Sequence, residues 1–352
     1  MKKLLLKKRA AKKEIPTRIT NETVAEHRER ILAGGRRFKY PMQYARHRLV
    51  MTTIIITVVA FVVILLIGWW QLYSVQNTST LFYRVTRVVP VPVASVDDEM
   101  VKYGDYLMYY NSSAHYLKQS KQLNLNDKAG QRQNSHIKRK SLDIAIANTY
   151  AQKLARDLDI SVSQERIDQV TDDDRNTATG RISQETYDAS ALNILGWTPS
   201  EYRYDTKNRL IRQDVAYAID ENAKQQQEKA SQLIQKDRSL DLKALATTLG
   251  GKGDAEVIAG VSGLVPHTNQ DGGLAKAALT LQPGGISSPI RTSAGDGYYF
   301  VKLAEKTPTQ VSYTYLRIPL TEFNNRLETL KKDSKVKEYI SIPQEDDEAA
   351  QR

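Results

Sequence analysis

The residues that usually carry chemistry are scarce in this 352-residue chain. There is no cysteine, which excludes disulfides, thiolate metal sites, a cysteine nucleophile and a lipidated N-terminal cysteine. The five histidines, His27, His47, His115, His136 and His267, show no ligand spacing, so neither a metal nor another cofactor is expected. His267 falls in a loop and reads as surface. The string GGKGD (250–254) lacks the trailing Ser/Thr and the strand–helix frame of a phosphate-binding loop. The serines and carboxylates form no nucleophile motif. Tyrosine is plentiful, with 19 copies, and its hydroxyl donates a hydrogen bond as a histidine ring can.

Charge is distributed unevenly. Residues 1–48 hold 15 Lys and Arg against 4 Glu, and 49–73 hold none. The remainder balances 36 basic with 36 acidic residues. The excess therefore sits in one basic tail, and no specific nucleic-acid partner is expected. LVMTTIIITVVAFVVILLIGWW, Leu49–Trp70, is 22 residues without a charge, roughly 33 Å as a helix and enough to cross a bilayer core. Arg46 and Arg48 lie at one end, Trp69, Trp70 and Tyr73 at the other. This pattern predicts a cell-membrane signal anchor with the N-terminus cytoplasmic and the later domains extracytoplasmic. The tail is expected to meet anionic lipid headgroups. TNETVAEHRERILAGG predicts a short helix capped at Thr20 or Asn21 and stopped at Gly34–Gly35.

Beyond the span, 74–92 reads as a polar, partly β-prone linker. Val93–Val96 and Met100–Val101 flank Asp97–Asp98–Glu99, predicting a β-turn-β ribbon. Tyr103, Tyr106, Leu107, Tyr110, Ala114 and Leu117 share one helix face. That tyrosine stripe reads as core packing, the alternative being an aromatic surface for unfolded chains. Residues 124–140 read as a polar loop, followed by a helix from Ser141. Further helices start at Ser163 and near Ser183. TPSEY predicts a capping box with Thr198 as N-cap, Pro199 at N1 and Glu201 at N3. The helix it opens is expected to run with little interruption from Pro199 to about Lys236.

The order VASVDDEMV, YGDYL, LDIAIANTYAQKLARDLDISVSQERIDQV resembles the helical chaperone domain of SurA-like bacterial foldases. After Leu240 the chain resembles a parvulin-type peptidyl-prolyl isomerase domain: LDLKALATTLGG for a helix, GVSGLVP for a strand, then LAKAALTLQPGGISSPIRTSAGDGYYFVKL for the helix, turn and last strand. Together these imply an α+β protein with one transmembrane helix, a mostly helical SurA-like chaperone domain and a small parvulin-like α/β domain with an antiparallel sheet. The expected order is a basic tail (1–48), anchor (49–73), linker (74–92), chaperone domain (93–236) and parvulin-like domain (237–310). A helix and short strand (321–342) return to the chaperone domain, and an acidic disordered tail (343–352) ends the chain. VSYTYLRIPL (311–320) alternates as a strand and, if paired with 298–303, would make the parvulin-like domain circularly permuted; a loose ribbon is the alternative.

Parvulins supply two histidines, a Cys or Asp and an apolar Met/Phe pair around the proline ring. Here Tyr299 stands at the histidine of the last strand, and Tyr315 is the candidate for the other. Asp254 lies nearest the Cys/Asp position. Leu264, Gln270, Leu274 and Ile286 are the candidate substrate-binding residues, with Gln270 and Leu274 at the Met/Phe positions. An X–Pro bond turns over a barrier of about 18–20 kcal/mol, and a catalyst mainly needs a dry pocket that favours the twisted amide. With so many positions changed, the resemblance implies a foldase that holds unfolded or exported polypeptides with weak or absent isomerase activity. The alternatives are an active isomerase using tyrosines and a structural or adaptor subunit of an envelope complex.

Overall fold

The computed structural model describes residues 20–39, 41–120, 128–177, 180–292 and 294–343, and divides into two units, Met1–Gln71 and Leu72–Arg352. The basic stretch before Thr20 and the acidic tail after Pro343 lie outside the described residues. In the first unit, α1 (Asn21–Lys39) continues through the expected stop at Gly34–Gly35. A helical glycine costs only about 1 kcal/mol, and the residues after it prolong the helix. α2 (Pro41–Tyr73) contains an apolar stretch, His47–Tyr73, in which an 18-residue window has mean hydropathy 3.1 and no buried residue, while Leu72 near its end is 6% exposed. The hydroxyls of Thr52, Thr53 and Thr57 donate to carbonyls four residues back (2.7–2.9 Å), leaving no polar group of theirs unpaired.

The second unit is α+β. Its chain order is α3 (Thr80–Val88), β1 (Pro92–Val96), β2 (Glu99–Lys102), α4 (Tyr103–Ser120), α5 (Lys128–Asp157), α6 (Gln164–Asp173), the short pair β3 (Asn176–Thr177) and β4 (Gly180–Arg181), α7 (Gln184–Leu195) and α8 (Pro199–Ile219). Then come α9 (Glu221–Lys236), α10 (Leu242–Leu249), β5 (Ile258–Pro266), α11 (Leu274–Leu279), β6 (Ile290–Arg291), β7 (Gly297–Lys306), β8 (Gln310–Pro319), α12 (Glu322–Lys332) and β9 (Val336–Glu338). β1 and β2 form a hairpin whose two turn residues, Asp97 and Asp98, both have positive φ (45° and 68°), the type I′ geometry that matches strand twist. β9 pairs antiparallel with β1, so the end of the chain returns to the beginning of this unit.

The helical core gathers around α4. Tyr103, Tyr106 and Leu107 are fully buried, and Tyr110 and Ala114 nearly so, with Leu142, Ile146, Leu210, Val215 and Phe323 packed against them. The tyrosine stripe is thus core. Its rings form an edge-on ladder, Tyr73–Tyr103 at 6.2 Å and Tyr103–Tyr106 at 5.5 Å.

Four-stranded antiparallel sheet order is β5-β8-β7-β6. β8 occupies the interior, pairing with β7 on one side and β5 on the other. Period-2 alternation divides the sheet's side chains. Tyr298, Phe300, Leu316 and Ile318 face α9 and α10, while Val301, Leu303, Val311 and Tyr313 face α11.

Three local readings change. The segment taken as linker holds α3, because Gly104 lets the two helices close up: a Cβ there would sit 2.8 Å from Thr86 O. Residues 128–140 are the opening turns of α5 rather than loop. Ile137 is buried and Asn134 Oδ1 accepts from Tyr110 Oη (2.8 Å). The long helix from Pro199 breaks at Asp220, where α9 turns away to put Ala223, Ala230 and Ile234 under the sheet. Asp220 is 2% exposed. Its Oδ1 accepts from Ala223 N (2.9 Å), and its Oδ2 from Thr321 N (2.7 Å) and Glu322 N (3.0 Å). One carboxylate therefore pins both places where the chain passes between the helical core and the sheet.

Candidate functional site

Register fixes where the sequence-derived residues go. Tyr299 on β7 faces Arg317, and Val301 faces Tyr315, so the two tyrosines are diagonal neighbours on one face. Their ring centroids are 6.0 Å apart. Leu274, at the start of α11, is buried against this same face. The remaining candidates do not join them. Ile286 packs on the opposite face with α9 and α10. Asp254 is exposed in a 3-10 turn, Gly253–Ala255. Leu264 is half exposed on the edge strand β5. Gln270 is exposed and donates through Nε2 to Asn176 O (2.7 Å). Face and edge are set by strand pairing, which spacing along the chain does not carry.

The chemistry open to the tyrosines is narrow. Tyr299 Oη donates to Asp296 Oδ2 (2.7 Å), and Tyr313 Oη donates to Asp271. Burial, and then the carboxylate beside each, pushes both phenols well above the ordinary tyrosine range. Asp296 is further held by Thr292 Oγ1 (3.0 Å) and lies 3.0 Å from Arg317 Nε. Both protons are already committed to carboxylates, so they are poorly placed to donate to a substrate amide. Tyr315 lies across Gly260 of β5, where any Cβ would come within 2.4 Å of its ring and hydroxyl. Tyr299, Tyr313 and Tyr315 pack together on this face, with Asp296 holding the Tyr299 hydroxyl and Asp271 that of Tyr313.

A different site is larger. A cleft of about 1100 Å³ opens between α3, α4 and the turn leading into α8. Its apolar lining comes from Met108, Tyr110 and Ala114 of α4, all buried, and from Trp197. Trp197 packs edge-on against Tyr109 (6.0 Å) and Tyr202 (6.4 Å), and its Nε1 donates to Met108 O (3.4 Å). The indole is therefore fixed by its neighbours while one side borders the cleft. Arg84, Arg87 and Lys118 lie around the opening.

Glu201 is the fixed anion of the cleft. The Thr198 capping box holds it at the first turn of α8, with Thr198 N and Oγ1 each donating to Oε2 (2.8 Å), and Tyr83 Oη donates to its other oxygen. Burial pushes the Glu201 carboxyl up, but the hydrogen bonds from Tyr83 and Thr198 outweigh it and hold it below the usual range. Tyr83, raised by burial and by Glu201, stays protonated. The capping box was legible from TPSEY, whereas the cleft was not, because α3 was read as linker and Trp197 carried no periodic signal. His115 borders the cleft, with Nε2 2.8 Å from Asn193 O. Among the described residues no group of His, Asp and Glu is arranged to hold a metal.

Residues 42–216 match the family model of the SurA-like N-terminal domain. The match covers just under half of the chain and supports a SurA-type chaperone family. No curated protein matches the sequence. The SurA-like segment contains the apolar helix and the entire cleft, and ends before Asp220 and the four-stranded sheet. SurA-like domains are extracytoplasmic and in general bind unfolded polypeptides. The apolar helix is long enough to serve as a membrane anchor.

Proposed function

We propose that the chain is a membrane-anchored extracytoplasmic foldase that holds unfolded or newly exported polypeptides in the α3–α4–Trp197 cleft. One observation carries this reading: a cleft of about 1100 Å³, bordered by Trp197 and by polar and charged side chains, inside the segment that matches a SurA-like domain. Unfolded clients share no sequence, so their binder needs contacts that tolerate variety. The half-buried indole of Trp197 can meet many apolar side chains, and rim charges orient the strand without demanding one partner.

The sheet from β5 to β8 is proposed to be a parvulin-like domain completed by β8 in circularly permuted order, serving chiefly as scaffold. Weak or absent isomerase activity is supported by the commitment of the Tyr299 proton to Asp296 and by the packing of Tyr315 across Gly260. The basic tail would meet anionic lipid on the cytoplasmic side.

The test uses the full chain in bilayer nanodiscs. It should slow the aggregation of two unrelated unfolded proteins. Trp197→Ala should raise the concentration required by about 5–30-fold, the range of a hot-spot aromatic worth about 1–2 kcal/mol. Ser200→Arg, which fills the opening from an exposed position, should act in the same direction without touching the core. In a protease-coupled proline-peptide assay the rate should equal the uncatalysed one. A chain that ignores unfolded clients but captures one folded envelope protein would instead be an adaptor, and substantial proline turnover would restore the tyrosine isomerase.

A further inference from the structure

α3 has two faces with different tasks. Phe82 and Thr86 turn inward, Thr86 to 2% exposure against Gly104. On another side Leu81, Val85 and Val88 are 68%, 46% and 83% exposed. Their spacing of i, i+4 and i+7 puts them within about 60° of one another around the helix. Arg84 lies beside this stripe and Arg87 one step further round, where it meets Asp105 (3.7 Å) and the Tyr204 ring; the helix TLFYRVTRV has no acidic residue. Three large aliphatics in a row on nine residues is a costly surface to leave in water.

Chain connectivity limits what can cover it. Only residues 74–79 separate the end of α2 from α3, a reach of at most about 25 Å even when fully extended. The end of α2 is also tied down: Tyr103 Oη donates to Leu72 O (2.7 Å) and Tyr73 Oη to Pro92 O (2.6 Å). If α2 spans a bilayer, with Trp69 and Trp70 at its boundary, α3 starts within one short tether of the headgroups. A short amphipathic helix with an arginine, Arg84, beside an aliphatic stripe matches the chemistry of an anionic membrane surface.

We infer that the Leu81–Val85–Val88 face of α3 docks on the outer surface of the anionic bilayer that holds α2, so that the client cleft opens beside the membrane. This rests on the anchoring part of the proposed function. The cleft is walled by the neighbouring side of α3, through Thr80, Tyr83, Arg84 and Arg87, with Val88 at the border between cleft and stripe. A polypeptide emerging at the membrane would then meet Trp197 before it meets bulk water.

The absence of cysteine allows single labels at will. Full-length Leu81→Cys, Val88→Cys, Leu65→Cys and Glu228→Cys variants would carry a nitroxide, one chain per nanodisc, in phosphatidylcholine with or without a quarter of phosphatidylglycerol. Accessibility to oxygen and to a water-soluble nickel chelate gives depth. Leu65 should report hydrocarbon and Glu228 water. Leu81 and Val88 should show nickel accessibility at least 3-fold below Glu228 in the anionic discs, with weaker protection in pure phosphatidylcholine. Nickel accessibility at Val88 equal to Glu228, with Leu65 in hydrocarbon, overturns the docking of α3 and leaves the anchor standing. Nickel accessibility at Leu65 overturns the anchor itself. Equal protection in both lipids removes the anionic specificity, and protection that appears only with two chains per disc assigns the face to a second copy.

Discussion

Asp220 lends itself to the most demanding prediction. Its carboxylate accepts from three backbone N–H groups, one opening α9 and two opening α12, in a position 2% exposed. Asp220→Ala removes an N-cap worth about 1 kcal/mol. It also leaves the two donors at Thr321 and Glu322 unpaired at about 1–2 kcal/mol each, because they lie where water has little access. The total is about 3–5 kcal/mol. Asp220→Asn keeps one accepting oxygen and turns an amide donor toward the other helix, so it should cost about half as much. With a urea dependence of about 2–3 kcal/mol/M, Asp220→Ala should lower the unfolding midpoint of the detergent-solubilised chain by about 1–2 M. Limited proteolysis should show new cuts near 220 and 320 before cuts elsewhere, since both chain crossings are loosened together. Midpoint shifts below about 0.3 M for both variants, or loosening at 220 without 320, would refute the idea that one side chain pins both crossings.

Other outcomes follow from single contacts. Burial raises the Asp205 carboxyl above its ordinary value of 3.8, against the hydrogen bond from Tyr109 Oη (2.9 Å) and the nearby Arg209 and Arg212. A raised folded-state pKa means the charged form penalises folding at neutral pH, and the penalty fades as pH falls through that pKa toward 3.8. Asp205→Asn should therefore raise Tm at pH 7.5 by a few degrees, corresponding to about 1 kcal/mol, with the advantage shrinking toward pH 4. An advantage independent of pH would show that charge is not the cause. Gly260→Ala should cost about 1–2 kcal/mol because its Cβ displaces the Tyr315 ring. In a Tyr315→Ala background the same change should cost nothing, and equal costs in a thermal double-mutant cycle would disprove the ring overlap. Thr198→Ala should lower Tm, since the hydroxyl that accepts from Glu201 N and donates to Glu201 Oε2 is lost while the backbone N–H to Glu201 stays, a loss of about 1 kcal/mol; an unchanged melting curve would remove that helix start from the account.

Where local pattern suffices, the sequence carries the result. An uninterrupted apolar run makes the long apolar helix, because 22 residues without charge have only one way to satisfy their backbone away from water. Ser163, Ser183 and Thr198 begin α6, α7 and α8, since each side chain satisfies an N–H a few residues on. The Asp97–Asp98 hairpin and the buried face of α4 were equally legible, as turn geometry and helical spacing are local properties.

What depends on distant partners was not legible. The first turns of α5 contain little apolar material, and only Tyr110 and the core around Ile137 make them helical. No glycine or proline marks the break at Asp220, which is stabilised by N–H groups a hundred residues away. Tyr299 and Leu274 share a face while Ile286 lies on the other, a distinction that register alone imposes. The cleft needs α3, brought onto α4 by the missing side chain of Gly104, and Trp197, fixed by Tyr109 and Tyr202. Composition and periodicity thus determined the anchor-like helix, the caps and the tyrosine core. Tertiary packing alone decided which tyrosine protons are already spent, and where the cleft beside Trp197 opens.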